Sequence, residues 1–334
     1  MQPRILIVYT GGTIGMTEDL STGALVPFSF DHLMKNVPKI GRLGFNLDHV
    51  EMDPPIDSSN MNPACWARIA RVIADRYEDF DGFVVLHGTD TMAYTAAILS
   101  FMLQGLKKPV VLTGSQLPIT HLMSDGRVNL ANAFAAACAG YPGVYLVFNN
   151  KIIAGTRAFK VRSMGFDAFQ SVNAPYAGEV DARGVRMQFP LPVRDQPFRL
   201  CERVCPEVCL IKLIPGTNPA LLDALVALRY RGVVIEAFGV GGFHYLRRNL
   251  LPRLEALHRA GIVVVVTSQC LYDSTDLERY EVGAQLSRQA VVAAGDMTTE
   301  AAVTKLMWAL GQTDDPAQAA RIMQENLCGE IGEA

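Results

Sequence analysis

Small hydroxyl residues and glycines gather at four places in this sequence, each just after a short run of apolar, mostly β-branched residues. They are Thr10-Gly11-Gly12-Thr13-Ile14-Gly15 after Tyr9, His87-Gly88-Thr89-Asp90-Thr91 after Leu86, Thr113-Gly114-Ser115-Gln116 after Leu112, and Ser268-Gln269-Cys270 after Thr267. Gly11 and Gly12 let a ligand approach the backbone closely and offer peptide N–H groups, with the Thr13 hydroxyl just beyond them. A hydroxyl beside oxyanion-type donors is what acyl transfer requires. The same segment also reads as a tight strand-to-loop turn in which Thr13 only caps backbone. It does not fit a dinucleotide or phosphate loop. No glycine stands two before Gly12, no Walker lysine follows, and Met16–Gly23 reads as polar loop rather than helix.

Asp90 stands where a strand hands over to a helix, which is a helix-capping position. Lys160 lies between Arg157 and Arg162, a spacing that by itself reads as solvated surface. Taken together, Thr13, Thr89, Asp90 and Lys160 permit something more specific. A threonine hydroxyl is a poor nucleophile until a base takes its proton, and a lysine held by an aspartate serves once its own proton is displaced.

The elements that must position these groups are legible in outline. Short apolar runs at Ile5–Tyr9, Phe83–Leu86, Val110–Thr113 and Val144–Phe148 alternate with helical patterns at Pro63–Tyr77, Met92–Leu103 and Asn129–Cys138. Continuous apolar runs of this kind predict parallel strands covered on both faces. The second half repeats the style, with strands predicted at Leu210–Leu213, Val233–Glu236 and Ile262–Thr267 and helices at Asn218–Arg229 and Leu250–Ala260. Two layered α/β domains follow, residues 1–185 and 206–334, with a proline-containing linker at 186–205. Pro316–Leu327 reads as an amphipathic helix with a frayed acidic end. The hydroxyl-rich loops then sit at the carboxyl ends of strands, where open α/β sheets bind ligands.

These motifs resemble the signature segments of the bacterial and archaeal L-asparaginases, closest to the cytoplasmic type I branch. The likeness includes Gly165-Phe166-Asp167-Ala168-Phe169 after Lys160 and extends in order from Arg4 to about Gly311. It implies an α/β fold with an N-terminal flavodoxin-like doubly wound domain, a smaller C-terminal α/β domain, and no metal or organic cofactor. It also implies hydrolysis of L-asparagine to L-aspartate and ammonia through a threonine acyl-enzyme.

By matching positions, Thr13 is the implied nucleophile, with Thr89, Asp90 and Lys160 as the second catalytic group. Ser58 and Ser59 are implied to hold the substrate α-carboxylate, and Ser115 to lie near the leaving amide. The N–H groups of Thr13 and Thr89 form the implied oxyanion site, so Gly12 and Gly88 count among the substrate-binding positions. The family assembles as a homodimer or homotetramer with a site completed by a neighbouring subunit.

Several positions depart from the family pattern. Leu25 occupies the place of a tyrosine often paired with the nucleophile, and Gly242 that of an asparagine which meets the substrate amino end; Glu236 is the acidic residue expected to substitute for it. Type I enzymes activated by asparagine have a threonine before the lysine and an arginine at the place of Glu236. Here Phe159 and Glu236 stand instead, which predicts no regulatory asparagine site. Met16–Pro27, polar and glycine-containing, is expected to act as a lid.

Composition narrows the alternatives. The 334 residues, half of them apolar, suit two cores. Thirty basic against 33 acidic residues, without a run of like charge, argue against nucleic acid. The apolar run at the N-terminus is too short for a signal peptide or membrane span, and seven scattered cysteines suit reduced thiols, so a cytoplasmic protein is expected. Cys201, Cys205 and Cys209 recur every four residues, but no fourth ligand with zinc spacing follows, and on a strand they would share one face. The alternative functions are a glutaminase-asparaginase of mixed specificity and a catalytically weakened amino-acid-binding sensor. The amidase half of a tRNA-dependent amidotransferase would need an added N-terminal domain.

Overall fold

A computed structural model describes the chain except residues 1, 19–22, 24, 37–45, 193, 278–290 and 333–334. The chain divides into two compact units, Met1–Ser171 with Pro175–Glu202, and Val172–Ala174 with Arg203–Ala334.

The first unit is built on β1 (Arg4–Tyr9), whose last five residues are all buried. In chain order there follow a small hairpin, β2 (Met16–Glu18) and β3 (Leu25–Pro27), then β4 (Asn46–Glu51), β5 (Gly82–Leu86), the short β6 (Leu103–Gln104), β7 (Pro109–Thr113) and β8 (Gly143–Phe148). Strands β4, β1, β5, β7 and β8 lie side by side and parallel. Ranked by chain position, that order is 2-1-3-4-5, the flavodoxin-like doubly wound arrangement, with its topological switch point beside β1 and β5. The sheet continues from β8 through antiparallel β9 (Lys151–Ala154), β12 (Gly178–Asp181) and β13 (Gly184–Met187). Two further strands, β10 (Ala158–Lys160) and β11 (Phe169–Ser171), form a separate antiparallel pair.

Both faces of this sheet are covered, which is why its strands are apolar throughout rather than alternating. Ile5, Ile7 and Tyr9 join Leu130, Ala133 and Phe134 of α4 (Gly126–Cys138) in one core cluster. Helices α2 (Pro63–Asp75) and α3 (Met92–Met102) pack on β1 and on β7 and β8 respectively. Every residue of α3 except Tyr94 is buried, as expected of a helix apolar all round. A short helix, α1 (Phe30–Lys35), precedes β4; neither was expected from the sequence, β4 because it is only partly buried. The expected lid, Met16–Pro27, includes the paired strands β2 and β3, and residues 19–22 and 24 of it lie outside the described residues. Residues 186–205 contain the end of β13 and the short β14 (Arg199–Leu200), which pairs with β6.

The second unit carries a parallel sheet in the order β15 (Val208–Lys212), β16 (Gly232–Ala237), β17 (Val263–Ser268), β18 (Val292–Ala293). One face packs on α5 (Ala220–Ala227) and α6 (Leu251–Arg259) through Leu222, Leu225, Leu251, Leu254 and Leu257. Helix α7 (Thr299–Gln312) packs against β15 and β16. It carries no clear apolar stripe, because eleven of its fourteen residues are buried, and it escapes a search for helical periodicity.

Helix α8 (Pro316–Gln324) is followed by an ordered end rather than the frayed one expected. Glu330 is fully buried, 2.7 Å from the equally buried Lys305 ammonium, and accepts the N–H groups of Leu327 and Cys328. A buried cation that needs a partner is what holds the terminus down. Of the three evenly spaced cysteines only Cys209 lies in a strand, so they share no face, and none of the seven cysteines, all among the described residues, forms a disulfide. Among the described residues no helix is long and apolar enough to cross a membrane.

Candidate active site

The loops at the ends of β1 and β5 are tied together at their roots. The Thr10 backbone N–H and hydroxyl both donate to the Leu86 carbonyl, at 3.0 and 2.8 Å. Beyond that point the two backbones almost touch. A Cβ built on Gly12 would lie 2.4 Å from the Gly88 nitrogen, and one on Gly88 would lie 2.5 Å from the Ser58 Oγ. Gly12 also has φ +87° and ψ 170°, a region essentially confined to glycine. Sequence position thus brings Gly12, Gly88 and Ser58 into one small space. Thr13, partly exposed, opens a 3₁₀ turn over Thr13–Gly15 directly beside it.

Ser58 is buried and Ser59 exposed. Asp57 fixes their turn by accepting the Ser59 N–H at 3.1 Å, and the Thr91 hydroxyl donates to the Ser58 carbonyl at 2.7 Å. Thr91, not Asp90, occupies the cap position of α3, so the capping role open to Asp90 falls away.

Asp90 instead meets Lys160, which reaches over from β10. The Lys160 ammonium donates to the Asp90 carboxylate at 2.6 Å and to the Thr89 hydroxyl at 2.8 Å. Its side chain is only 16% exposed and Arg157 is buried, so the solvated-surface reading fails at these two cations, while Arg162 is exposed as expected. The Thr89 hydroxyl donates in turn to Gln116 Oε1 at 3.1 Å, and the Gln116 amide donates to the carbonyls of Ser163 and Gly165. Each polar group in this chain has one direction available, because an ammonium only donates and a carboxylate only accepts. A lysine ammonium must lose a proton before it can take one from a hydroxyl.

Gln116 was not singled out from the sequence as a site residue, nor was its support. Asp125 accepts the N–H groups of Gln116 and Leu117 and the side-chain amide of Asn129, which holds the Ser115–Leu117 turn rigid. The Ser115 hydroxyl is buried and turned onto the Leu117 carbonyl at 2.5 Å. The signal that could have found Asp125 was its place just before a helical run, with its contacts nine residues back in sequence.

Glu236 lies in β16 of the second unit. Its carboxylate accepts the Thr299 hydroxyl at 2.8 Å and pairs with Lys212 at 3.3 Å. Near it, Glu300 is more than nine-tenths buried, and its Oε2 has no hydrogen-bond partner. Burial, with a smaller contribution from the Glu236 charge, pushes the Glu300 carboxyl up to about 7. Among the described residues, no group of three His, Cys, Asp or Glu side chains is arranged to hold a metal ion.

Comparison with known proteins covers nearly all of the chain. Residues 4–192 match the model described as "Asparaginase, N-terminal" and residues 207–323 the "Glutaminase/Asparaginase C-terminal domain". The chain is 40% identical over 328 residues to an L-asparaginase of Thermococcus kodakarensis, covering 98% of this chain and 99% of that one. The solved structure of the thermostable L-asparaginase from that organism superposes with a TM-score of 0.94 at 39% identity, covering 99% and 100%. L-asparaginase 1 of Escherichia coli is 38% identical, covering 98% and 97%. A glutamyl-tRNA(Gln) amidotransferase component from Pyrococcus abyssi is 35% identical, with 98% of this chain spanning 77% of that one. Domain content, full-length similarity and fold give one result: the chain belongs to the asparaginase family of amidohydrolases.

Proposed function

We propose that this protein hydrolyses the side-chain amide of L-asparagine, releasing ammonia and L-aspartate. The observation that carries the reading is the contact of Lys160 with both the Thr89 hydroxyl and Asp90, at the mouth of a loop whose neighbour presents Thr13. In the proposed sequence Lys160 first releases its ammonium proton to solvent; the Thr13 oxygen then attacks the amide carbon, and its proton passes through the Thr89 hydroxyl to the neutral Lys160 amine. The developing oxyanion is met by the Thr13 and Thr89 N–H groups. Collapse breaks the C–N bond, and ammonia leaves with the proton. Water then cleaves the Thr13 ester, and the threonine hydroxyl is restored. Ser58 and Ser59 take the α-carboxylate, Ser115 lies by the leaving amide, and Asp90 holds Lys160 in place. Gly12 and Gly88 contribute by letting the two loops close on the substrate.

Glutamine is the second substrate to test, since one methylene changes binding by only about 1–3 kcal/mol and the C-terminal match is shared with glutaminases. Oligomerisation as a homodimer or homotetramer and a cytoplasmic location belong to the same reading, the latter supported by seven cysteines that form no disulfide. Ammonia release from asparagine and glutamine, assayed side by side, tests it. Thr13→Ala, Thr89→Val and Lys160→Met should each lose at least about a hundredfold of the asparagine rate, roughly 2.7 kcal/mol of barrier, with circular dichroism and melting temperature near wild type. Ligand binding without turnover in the wild type would support the sensor instead. Full activity in any one variant would remove the role given to that residue.

A further inference from the structure

Beneath the Gly88–Thr89 loop, a chain of hydrogen bonds runs through the core that the proposed chemistry does not use. The Trp66 indole N–H donates to the Thr95 hydroxyl at 3.0 Å, that hydroxyl lies 2.9 Å from His87 Nε2, and His87 Nδ1 lies 2.7 Å from the Gly88 carbonyl oxygen. His87 and Thr95 are fully buried and Trp66 nearly so.

The direction of every link is fixed by its ends. A carbonyl oxygen only accepts, so Nδ1 carries the proton; an indole N–H only donates, so the Thr95 oxygen accepts from Trp66 and its own proton is free for Nε2. Burial pushes the imidazole down to about 4, so it is neutral near pH 7 and one nitrogen must accept. The backbone around it is clamped as well. The His87 N–H donates to the Thr113 carbonyl at 2.9 Å, and a Cβ on Gly114 would lie 2.2 Å from the His87 carbonyl oxygen.

We infer that His87 is a positioning residue for the oxyanion site: by donating from Nδ1 to the Gly88 carbonyl it fixes the peptide unit whose other end is the Thr89 N–H. The peptide is planar and trans, so the carbonyl and the N–H point in opposite directions and holding one aims the other. Gly88 lacks a side chain to resist rotation of this unit, and a rotated peptide would present a carbonyl where a donor is needed. Trp66 and Thr95 act one step back, by selecting the imidazole tautomer. This inference rests on the asparaginase reading for the role of the Thr89 N–H, but the hydrogen-bond chain stands independently of it.

The test uses the full chain and separates the two. Histidine-selective ¹⁵N NMR of the wild-type protein at pH 7 should show one imidazole, absent in His87→Gln, as the Nδ1–H tautomer; an Nε2–H or cationic His87 would overturn the inference whatever the enzyme hydrolyses. His87→Asn keeps a donor near the position of Nδ1, whereas His87→Gln carries its amide toward Nε2 and withdraws that donor. His87→Gln should lower kcat on asparagine at least about tenfold, with KM within about threefold. That is part of the roughly 10²- to 10³-fold lost with a whole oxyanion donor. His87→Asn should recover most of that loss. Thr95→Val, which keeps shape and removes the hydroxyl, should shift the imidazole resonances and lower kcat in the same direction, and it serves where His87→Gln does not fold. Wild-type kcat in folded His87→Gln, or equal losses in the Gln and Asn variants, would overturn the positioning role. No ammonia from the wild type on either amide would defeat the functional reading and leave the tautomer measurement to judge the chain of bonds.

Discussion

Gly12→Ala isolates the demand that the two glycine loops approach each other. Two costs apply. The backbone conformation, φ +87° and ψ 170°, is essentially reserved for glycine, and holding another residue there costs on the order of 1–3 kcal/mol. The new methyl would also stand 2.4 Å from the Gly88 nitrogen and 2.6 Å from its Cα, which are backbone atoms that no rotamer change can move aside. Overpacking of that kind costs typically about 1–3 kcal/mol. Gly140 supplies the control, since it has φ +76° but no atom within 4 Å of a built Cβ, so Gly140→Ala meets only the first kind of cost.

We therefore expect Gly12→Ala to be less stable than Gly140→Ala by about 1–3 kcal/mol. For a unit of this size that is a further drop in Tm of roughly 2–12 °C. Pushing the loops apart also moves Thr13 relative to Thr89, and a displacement approaching 1 Å is worth about 10²-fold in rate. Differential scanning calorimetry and the ammonia assay read both effects. A Gly12→Ala protein that melts with Gly140→Ala and retains wild-type kcat would refute the idea that this contact sets the site geometry.

Two predictions concern the second unit. Glu300 holds its proton to about 7 in the folded protein against 4.5 in the unfolded chain, so the native state binds more protons between those values and stability falls as pH rises through them, by up to roughly 3 kcal/mol. Glu300→Gln should remove that slope, raising Tm at pH 8 and leaving it nearly unchanged at pH 4.5; an unchanged slope would show that Glu300 ionises freely. Lys305→Met leaves Glu330 buried without its cation and should cost about 3–5 kcal/mol by urea denaturation, with part regained in the Lys305→Met/Glu330→Gln double variant. Equal losses in the single and double variants would mean that packing, not the ion pair, is what matters there.

The strands that carry the site were legible because each is a continuous apolar run with a glycine-hydroxyl break directly after it. Their parallel pairing follows from burial on both faces. Residues whose role depends on distant partners were less accessible. Lys160 meets Thr89 across 71 positions, and its flanking arginines suggest solvent; chemistry made a pairing with Asp90 useful, and family resemblance pointed to it, but no local spacing did. Gln116, which links Thr89 to the 163–165 loop, looks in sequence like any polar loop residue. Trp66 and Thr95 look like helix-core residues because that is also what they are. Helix α7 and the buried Lys305–Glu330 pair escaped because all-round burial erases the amphipathic stripe on which sequence reading depends.

The sheet order explains why glycine is needed twice. At the switch point of a 2-1-3-4-5 sheet the chain leaves β1 and β5 side by side, and both loops must turn over the same edge. With Gly12 against Gly88 and Gly88 against Ser58, a side chain at Gly12 would push the two threonine loops apart, and one at Gly88 would press on Ser58. The glycines are thus required by packing and by chemistry together, and loss of activity on replacing them says little about catalysis. The side chains of Thr13, Thr89 and Lys160 are different. None of them fills the contact between the loops, so the fold does not depend on them in the same way. Substitutions there that spare Tm and abolish turnover are the ones that discriminate an acyl-transfer site from a tightly packed strand edge.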